Sequence, residues 1–319
     1  MAMRYCSGVR PPQAGIALLT VLLVVFLASV AAVALASVQQ FAIRRSTLLL
    51  HQQQAQLYVL GAEQWAAAIL QRDGKDNDID HNGEDWASVP PALPVEGGSV
   101  SGRIMDLQGR FNLNNLVTNE DETDAIKLDE LQLEVFKRLL ENLDLNPALA
   151  DAVADWIDPD QEVLFPDGAE DGDYLNNTPP YLAANRALQS ISELRLIKGV
   201  NQEIYARLVP YVAVLPTGTR LNVNTAPAAV LAALSDEFKT EAAQALVQAR
   251  ESYDNVESFL QDAQLLEAGV NTDMLTVSSA YFLVQAEAYV GEAHASLQSV
   301  VQRQGSGIRV VMRSFGSDN

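Results

Sequence analysis

The sequence is poor in the residues on which the commonest catalytic and metal sites depend. It has one cysteine, Cys6, and three histidines in 319 residues. A single cysteine excludes an internal disulfide framework, and zinc or copper sites with several Cys or His ligands are disfavoured. His51, His81 and His294 are far apart along the chain, and none lies in a motif with a nucleophile. We therefore predict that the chain is not an enzyme.

Positive charge is scarce as well. The chain has 21 Lys and Arg residues against 41 Asp and Glu residues, a formal net charge of -20. Such a chain repels phosphate backbones and anionic lipid surfaces. Residues 194–200 look like a helix-hairpin-helix turn, which can offer backbone N–H groups to DNA, but only Arg195, Lys198 and Arg207 lie near it. We interpret it as a packing motif and predict no nucleic-acid partner.

Charge of either sign is missing from Ile16 to Val38. At ~1.5 Å rise per residue, a helix over this run is ~34 Å long and can cross a bilayer core of ~30 Å. Arg4 and Arg10 precede the run, so the positive-inside rule keeps the first residues in the cytoplasm. The pattern predicts a single-pass membrane protein whose ectodomain lies outside the cytoplasm.

The same run could instead belong to an ordinary signal peptide, because Ala34–Ala36 has the small-x-small form of a signal peptidase site. Two features favour a helix that is retained. The apolar core of a signal peptide has ~7–15 residues, fewer than this run. No Gly or Pro occurs between Ile16 and Leu60, and apolar residues continue at helical spacing. We predict one continuous helix from Ile16 to about Arg72, ~85 Å long.

The residues in front of this helix resemble the prepilin leader of type IV pilin-like proteins. A short polar leader with two arginines ends in Gly15, and the apolar helix starts at once with Ile16. In that family a prepilin peptidase cuts at the matching bond, here Gly15–Ile16, and the new amine is methylated. Most members have a glutamate at the fifth mature residue, where this chain has Thr20. This departure and the large ectodomain resemble the minor pseudopilin K family of type II secretion systems.

That resemblance implies a function and a set of partners. A minor pseudopilin of this family lies in the bacterial inner membrane with its ectodomain in the periplasm. It joins other minor pseudopilins and the major pseudopilin in a short filament that drives protein secretion. Thr20 further implies a place at the filament tip and a role in starting assembly. The rival hypothesis is a signal-anchored periplasmic calcium-binding or solute-binding module that acts alone.

Alternating residues predict β-strands at both ends of the ectodomain. The first two, Ser99–Asp106 and Arg110–Asn114, flank Gly109. Three more close the sequence: Ala280–Val290, Ala293–Gln302 and Gly307–Phe315. Strands at the two ends of a segment indicate one small antiparallel sheet, into which the chain between them is inserted.

The inserted segment has helical spacing. Leu128–Leu143 and Ala148–Ile157 predict helices, and Thr225 looks like the N-cap of another over Ala228–Leu234. The predicted fold is α+β and type IV pilin-like: a long N-terminal helix packed on a small antiparallel sheet, with a large inserted all-α domain. Its parts are a leader (1–15), a transmembrane and stalk helix (16–72), a pilin-like α/β domain (73–120 plus 278–319) and the insert (121–277).

Acidic residues are concentrated between Asp155 and Asn177, and no Lys or Arg occurs between Arg138 and Arg186. Close carboxylates repel by about 1 kcal/mol per pair even in water, unless a cation offsets them. Calcium suits such a loop, because it takes ~6–8 oxygen ligands in flexible geometry. A solvated acidic loop is the alternative, and spacing alone does not separate the two. The resemblance implies calcium, since the K family binds it through acidic loops in this part of the chain. The candidate ligands are Asp158, Asp160, Glu170, Asp171, Asp173 and Asn176.

A second acidic stretch, Asp78–Gly83, matches the first six positions of an EF-hand loop. The match then fails, because the twelfth position is Val89 where an EF-hand has a bidentate glutamate. We predict a surface turn there.

Overall fold

The computed structural model describes residues 14–119, 126–305 and 307–316. The strands are β1 Leu93–Val95, β2 Gly98–Asp106, β3 Phe111–Asn112, β4 Val117–Asn119, β5 Ile126–Leu128, β6 Val212–Ala213, β7 Leu221–Asn222, β8 Leu275–Thr276, β9 Tyr281–Val290, β10 Ala293–Gln304 and β11 Gly307–Phe315. The α-helices are α1 Ala14–Asp76, α2 Glu130–Asn142, α3 Leu149–Ile157, α4 Asp171–Tyr174, α5 Gln202–Leu208, α6 Ala228–Ala232, α7 Thr240–Ala249 and α8 Val256–Asp262.

Helix α1 confirms the predicted continuous helix and has 63 residues. Its membrane-spanning candidate window has a mean hydropathy of 2.9, and none of that window is buried against the rest of the chain. The three hydroxyl residues of the uncharged run donate to backbone carbonyls three or four residues earlier, at 2.8 to 2.9 Å. A helix that satisfies its own polar groups is the form that a bilayer core accepts.

The predicted antiparallel sheet is present and has the strand order β1-β2-β9-β10-β11. Strand β2 comes from the start of the ectodomain, yet it pairs with β9 near the end of the chain. The C-terminal half of α1 packs across this sheet. Val59 and Leu70 of the helix are fully buried, as are Phe282 and Val301 of the sheet. The alternating burial along β9 follows from the two-residue period of a strand with one covered face.

An ion pair between a buried carboxylate and an exposed guanidinium adds to this packing. The carboxylate of Glu63, on α1, is fully buried and accepts hydrogen bonds from the guanidinium of Arg313 on β11, at 2.6 and 2.9 Å. The Ser299 hydroxyl on β10 also donates to it. Because a buried charge is tolerated only with such partners, Glu63 fixes the position of α1 along the sheet.

The inserted segment forms a second, larger core. This core is one cluster of buried apolar side chains that runs from Phe111 to Leu275. Fully buried members include Phe136 and Leu140 on α2 and Ile157 on α3. Three short ladders, β3 with β6, β4 with β5 and β7 with β8, accompany the helices. The α+β pilin-like fold is confirmed, and the domain boundary at residue 121 stays a prediction.

Two local predictions were wrong. The strand predicted over Arg110–Asn114 covers only Phe111–Asn112, because a 3₁₀ turn begins at Leu113 and the Asn112 side chain accepts a hydrogen bond from the Asn114 N–H. Thr225 is not a helix cap. The N-cap residue of α6 is Pro227, whose side chain accepts no hydrogen bond from the first turn of the helix. The Thr225 hydroxyl instead donates to the buried carboxylate of Asp106, 2.5 Å away, a contact across the chain that no local pattern reveals.

Candidate metal centre and N-terminal anchor

The acidic segment begins where α3 ends. The helix is buried along its whole length and ends at Ile157, and Asp158 is its C-cap residue. One turn earlier, the carboxylate of Asp155 accepts hydrogen bonds from the N–H groups of Leu164 and Ala169, at 3.2 and 2.8 Å. These bonds fold the loop back over the end of the helix. Gly168 permits this fold, because a Cβ there would lie 2.1 Å from the Asp155 carboxylate.

The folded loop brings three carboxylates together. Asp158, Asp160 and Glu170 each present an oxygen, and these oxygens lie within 4.8 Å of one another. Calcium binds oxygen at 2.3–2.6 Å, so two ligands on opposite sides of one ion are ~4.6–5.2 Å apart. The spacing therefore fits a single calcium ion held among the three groups.

Several oxygens at this place have no partner among the described residues. Oδ1 of Asp158 and both carboxylate oxygens of Glu170 are buried and accept no hydrogen bond. Burial, followed by repulsion from neighbouring carboxylates, raises the pKa of Asp158 to about 7 and that of Glu170 to about 7. Buried polar atoms without partners are rare in folded proteins. The site therefore has oxygen atoms with free lone pairs and no positive charge beside them. A bound cation would provide that charge.

The other three candidate ligands are engaged elsewhere. Asp171 accepts a hydrogen bond from the N–H of Ala183 at 2.9 Å. Asp173 pairs with Lys198 at 2.8 Å, and both side chains are about half exposed. Asn176 is exposed, and its amide donates to the carbonyl of Gly172 at 2.7 Å. The structure thus unites Asp158, Asp160 and Glu170 and separates them from Asp171, Asp173 and Asn176.

One further oxygen was missed by the sequence analysis. Oδ1 of Asn185 is buried and accepts no hydrogen bond within the described ranges. The Asn185 amide donates to the Asp160 carbonyl at 3.4 Å, and its backbone N–H donates to the Trp156 carbonyl at 3.0 Å. Asn185 lies outside the acidic segment, so composition could not single it out. Its left-handed backbone, with φ of 46°, is one that asparagine tolerates better than most residues.

The second acidic stretch is a turn in which Asp78, Asn82 and Gly83 are exposed, as predicted, but Asp80 is buried. Asp80 is 1% exposed, and it forms a cluster with Asp73 and Glu84 whose oxygens also lie within 4.8 Å of one another. Here the chain provides the cation itself. The Arg303 guanidinium bonds Asp73 at 3.0 Å and also pairs with Asp80. Glu84 accepts a hydrogen bond from the indole of Trp86 at 2.7 Å. Burial still raises the pKa of Asp73 to about 6, despite the Arg303 guanidinium.

The residues predicted for processing lie at the start of α1. The helix begins at Ala14, so Gly15 and Ile16 are in its first turn, and Ile16 is 68% exposed. Thr20 lies one turn further, and its hydroxyl donates to the Ala17 carbonyl at 2.9 Å. The arginines of the predicted leader, Arg4 and Arg10, are outside the described residues.

Comparisons with known proteins agree with this architecture. Two family models, both described as type II secretion system (T2SS) protein K, match residues 109–217 and 221–278. A type II secretion system protein K from Pseudomonas aeruginosa is 40% identical over 96% of this chain and 94% of its own length. One from Klebsiella pneumoniae is 37% identical over 95% of this chain and 97% of its own.

A solved structure extends the likeness to three dimensions. It is the crystal structure of the GspK-GspI-GspJ complex from the type 2 secretion system of enterotoxigenic Escherichia coli. The matching chain is 28% identical, with a TM-score of 0.75, over 86% of this chain and all of its own. With relatives at up to 40% identity over nearly the full length, the chain belongs to the type II secretion system protein K family.

Proposed function

We propose that this minor pseudopilin caps the tip of a periplasmic pseudopilus and helps to start its assembly for protein secretion. The observation that carries the proposal is Thr20. In a bundle of apolar helices a charged terminal amine is costly unless an opposite charge meets it. In pilin-like assemblies the fifth-residue glutamate meets the amine of the subunit above. A tip subunit has none above it, and the Thr20 hydroxyl is already satisfied by Ala17.

The size of the helical insert supports the same place. Its core includes helices α2 to α8 and lies outside the five-stranded sheet on which α1 packs. A domain of that size on every subunit would collide with stacked neighbours along a shaft, whereas the end of a filament leaves room for it. The tip position thus accommodates both Thr20 and the insert.

Prepilin peptidase processing is part of the proposal. The Gly15–Ile16 bond lies in the first turn of α1, at the start of the uncharged run, so cleavage would leave the apolar helix in the inner membrane with the ectodomain in the periplasm. We expect Gly15→Lys to block cleavage while the protein stays in the membrane fraction. Terminal sequencing of the wild type should give Ile16 as a methylated first residue. A mature terminus at Ser37 would favour the signal-anchored module that acts alone.

The tip position is tested by stoichiometry and by charge at residue 20. Quantitative cross-linking of sheared filaments should recover this subunit about once per filament, joined to other minor pseudopilins, with the major pseudopilin in large excess. Thr20→Glu should impair the start of assembly, because an unpaired glutamate costs ~2.5–3.5 kcal/mol in the membrane. Thr20→Gln is the matched uncharged control. Recovery at regular intervals along the shaft would contradict the proposal.

Calcium is the cofactor that we propose for the ectodomain. Asp158, Asp160 and Glu170 are the ligands that geometry favours, and the unpartnered Oδ1 of Asn185 is a fourth. The ion would neutralise the carboxylates and hold the loop after α3 against the helical core. We expect no catalytic step in this protein.

Calcium binding is tested on the full chain in detergent. Calorimetric titration should show binding that Asp158→Asn weakens at least tenfold. Asp167→Asn removes an exposed carboxylate of the same loop and should leave the affinity unchanged. Equal melting curves in calcium and in chelator would support the solvated-loop alternative.

A further inference from the structure

The turn that follows α1 contains the one Asn-Gly pair of the sequence, Asn82-Gly83. Both residues are exposed, and the Glu84 N–H closes the turn by donating to the His81 carbonyl at 3.3 Å. The Asn82 carboxamide forms no hydrogen bond with any residue that the structure describes. An asparagine that precedes glycine deamidates more readily than others, because glycine has no side chain to hinder attack by its own backbone nitrogen. The pair is thus a candidate site of covalent change.

The His81 side chain lies directly against this pair. Its Nδ1 accepts a hydrogen bond from the Gly83 backbone N–H at 3.1 Å. A Cβ built on Gly83 would lie 3.0 Å from that same nitrogen, so the close approach of the ring depends on glycine. A ring nitrogen that accepts a hydrogen bond carries no proton and can act as a base. The backbone nitrogen that must lose a proton in deamidation is therefore already bonded to a base.

The position of His81 is fixed from behind the turn. The His81 backbone N–H donates to the Glu84 carboxylate at 2.9 Å. The same carboxylate accepts hydrogen bonds from the side chains of Asn77 and Trp86, at 3.0 and 2.7 Å. His81 is half-buried, whereas Asn82 and Gly83 are exposed. The base is held by the folded chain, while the two residues that react lie at the surface, where the backbone opens locally at low cost.

We propose that Asn82 is a site of spontaneous deamidation and that His81 is its general base. The Gly83 nitrogen attacks Cγ of Asn82 and gives its proton to Nδ1 of His81. As the new N–C bond forms, the bond from Cγ to the amide nitrogen breaks, and the proton passes from His81 to that nitrogen, which leaves as ammonia. Water then opens the cyclic imide at either carbonyl, which gives aspartate or isoaspartate at position 82.

The product changes the loop between α1 and the sheet. Either product adds a carboxylate within two residues of Asp80 and Glu84, two members of the acidic cluster that Arg303 neutralises in part. The isoaspartate also adds one carbon to the backbone of the turn that His81 and Glu84 close. The reaction takes place once per chain, without turnover on a second molecule. It is therefore a self-modification and not an enzymatic activity.

The test incubates the full chain in detergent at neutral pH over several days, with peptide mass spectrometry and an isoaspartate assay as readouts. Asn82 should deamidate about tenfold or more faster than Asn77, an exposed asparagine of the same loop whose carboxamide is bonded to Ile79 and Glu84. His81→Asn should slow the reaction at Asn82 about tenfold or more. An amide oxygen at position 81 can accept the Gly83 N–H and keep the turn, but it takes up no proton.

Two results would overturn the proposal. One is a yield of product at Asn82 no higher than that at Asn77. The other is an undiminished rate in His81→Asn at the melting temperature of the wild type, because the Asn-Gly pair alone would then account for the reaction. A lower melting temperature of His81→Asn moves the decision to Gly83→Ala, whose Cβ would displace the His81 ring. An undiminished rate in that variant would likewise contradict the role of His81.

Discussion

Two clusters of three carboxylates differ in whether the described chain provides a cation for them. Asp73, Asp80 and Glu84 lie where α1 meets the sheet, and Asp158, Asp160 and Glu170 lie at the end of α3. In both clusters the oxygens are within 4.8 Å of one another. The first cluster contains Arg303, which bonds two of its members. The second has no arginine or lysine bonded to its members within the described residues.

The difference shows which part of the molecule provides its own cation for a carboxylate cluster. Arg303 is on β10 and its partners are on and just after α1, so these ion pairs link the stalk to the sheet without an external cation. The loop after α3 has buried oxygens that no protein donor satisfies. Its stability is expected to depend on an external cation. The pilin-like α/β domain would thus stay assembled while the helical insert responds to calcium.

The largest expected effect comes from removing the internal cation. Arg303→Met leaves Asp73 and Asp80 without their cationic partner, and breaking a buried pair on one side costs about 3–5 kcal/mol. Denaturant unfolding of the full chain in detergent with saturating calcium measures this loss. Arg309→Met is the control: Arg309 is exposed on the adjacent strand, and its replacement should change the free energy of unfolding little. Equal losses would remove the distinction between the two clusters.

The second prediction reverses its sign with calcium. Glu170→Gln should raise the melting temperature in chelator, because it removes a buried carboxylate that has no partner. In calcium it should abolish most of the ion's stabilisation, which for the wild type is about 2.7 kcal/mol at one hundred times Kd. Thermal unfolding monitored by tryptophan fluorescence measures both effects. Glu162→Gln, at an exposed position of the same loop, should change neither curve.

The third prediction concerns pH. The pKa of Asp158 and that of Glu170 are each raised to about 7 by burial and by neighbouring carboxylates, well above their values in an unfolded chain. Without calcium, the folded state therefore holds more protons than the unfolded state between about pH 4 and 7. The free energy of unfolding should fall as the pH rises through this window.

Calcium should flatten this pH dependence, because it competes with the protons for the same oxygens. Urea unfolding at a series of pH values, with calcium and with chelator, checks the expectation. Parallel pH profiles under the two conditions would show that the cluster binds no ion.

The smallest effect is expected at Asp173. Its bond to Lys198 is between half-exposed groups, so Asp173→Asn should cost about 0–1 kcal/mol. Calcium affinity should stay unchanged if the ion lies among Asp158, Asp160 and Glu170. Calorimetric titration of this variant tests that assignment. A tenfold loss of affinity would return Asp173 to the ligand set and would require the loop to rearrange on binding.

Patterns that repeat along the chain predicted the parts of the structure that depend on local order. The uncharged run and the helical spacing after it predicted α1, and alternation predicted β2, β9, β10 and β11. The same reasoning failed at Arg110–Asn114 and at Thr225. In both places a side-chain hydrogen bond to Asn112 or Asp106 replaced the local structure that the pattern indicated.

The candidate metal site was also predicted only in part from the sequence. The density of carboxylates after Asp155 indicated charge repulsion that a cation would offset, and it left a solvated acidic loop as the alternative. The path of the loop is set by the N–H groups of Leu164 and Ala169, which donate to the Asp155 carboxylate. That path decides which carboxylate oxygens lie close together. Asn185 joins them from beyond the acidic segment.

The sequence by itself determined the long apolar N-terminal helix, the order of helices and strands, and the two stretches where negative charge collects. Each of these depends on hydrophobicity, periodicity or charge among near neighbours. Only the tertiary structure decided that one acidic cluster carries its own cation and the other does not. Arg303 is more than two hundred residues from Asp73 and Asp80 along the chain. The sheet brings them together, and a contact made by chain topology leaves no mark in the local sequence.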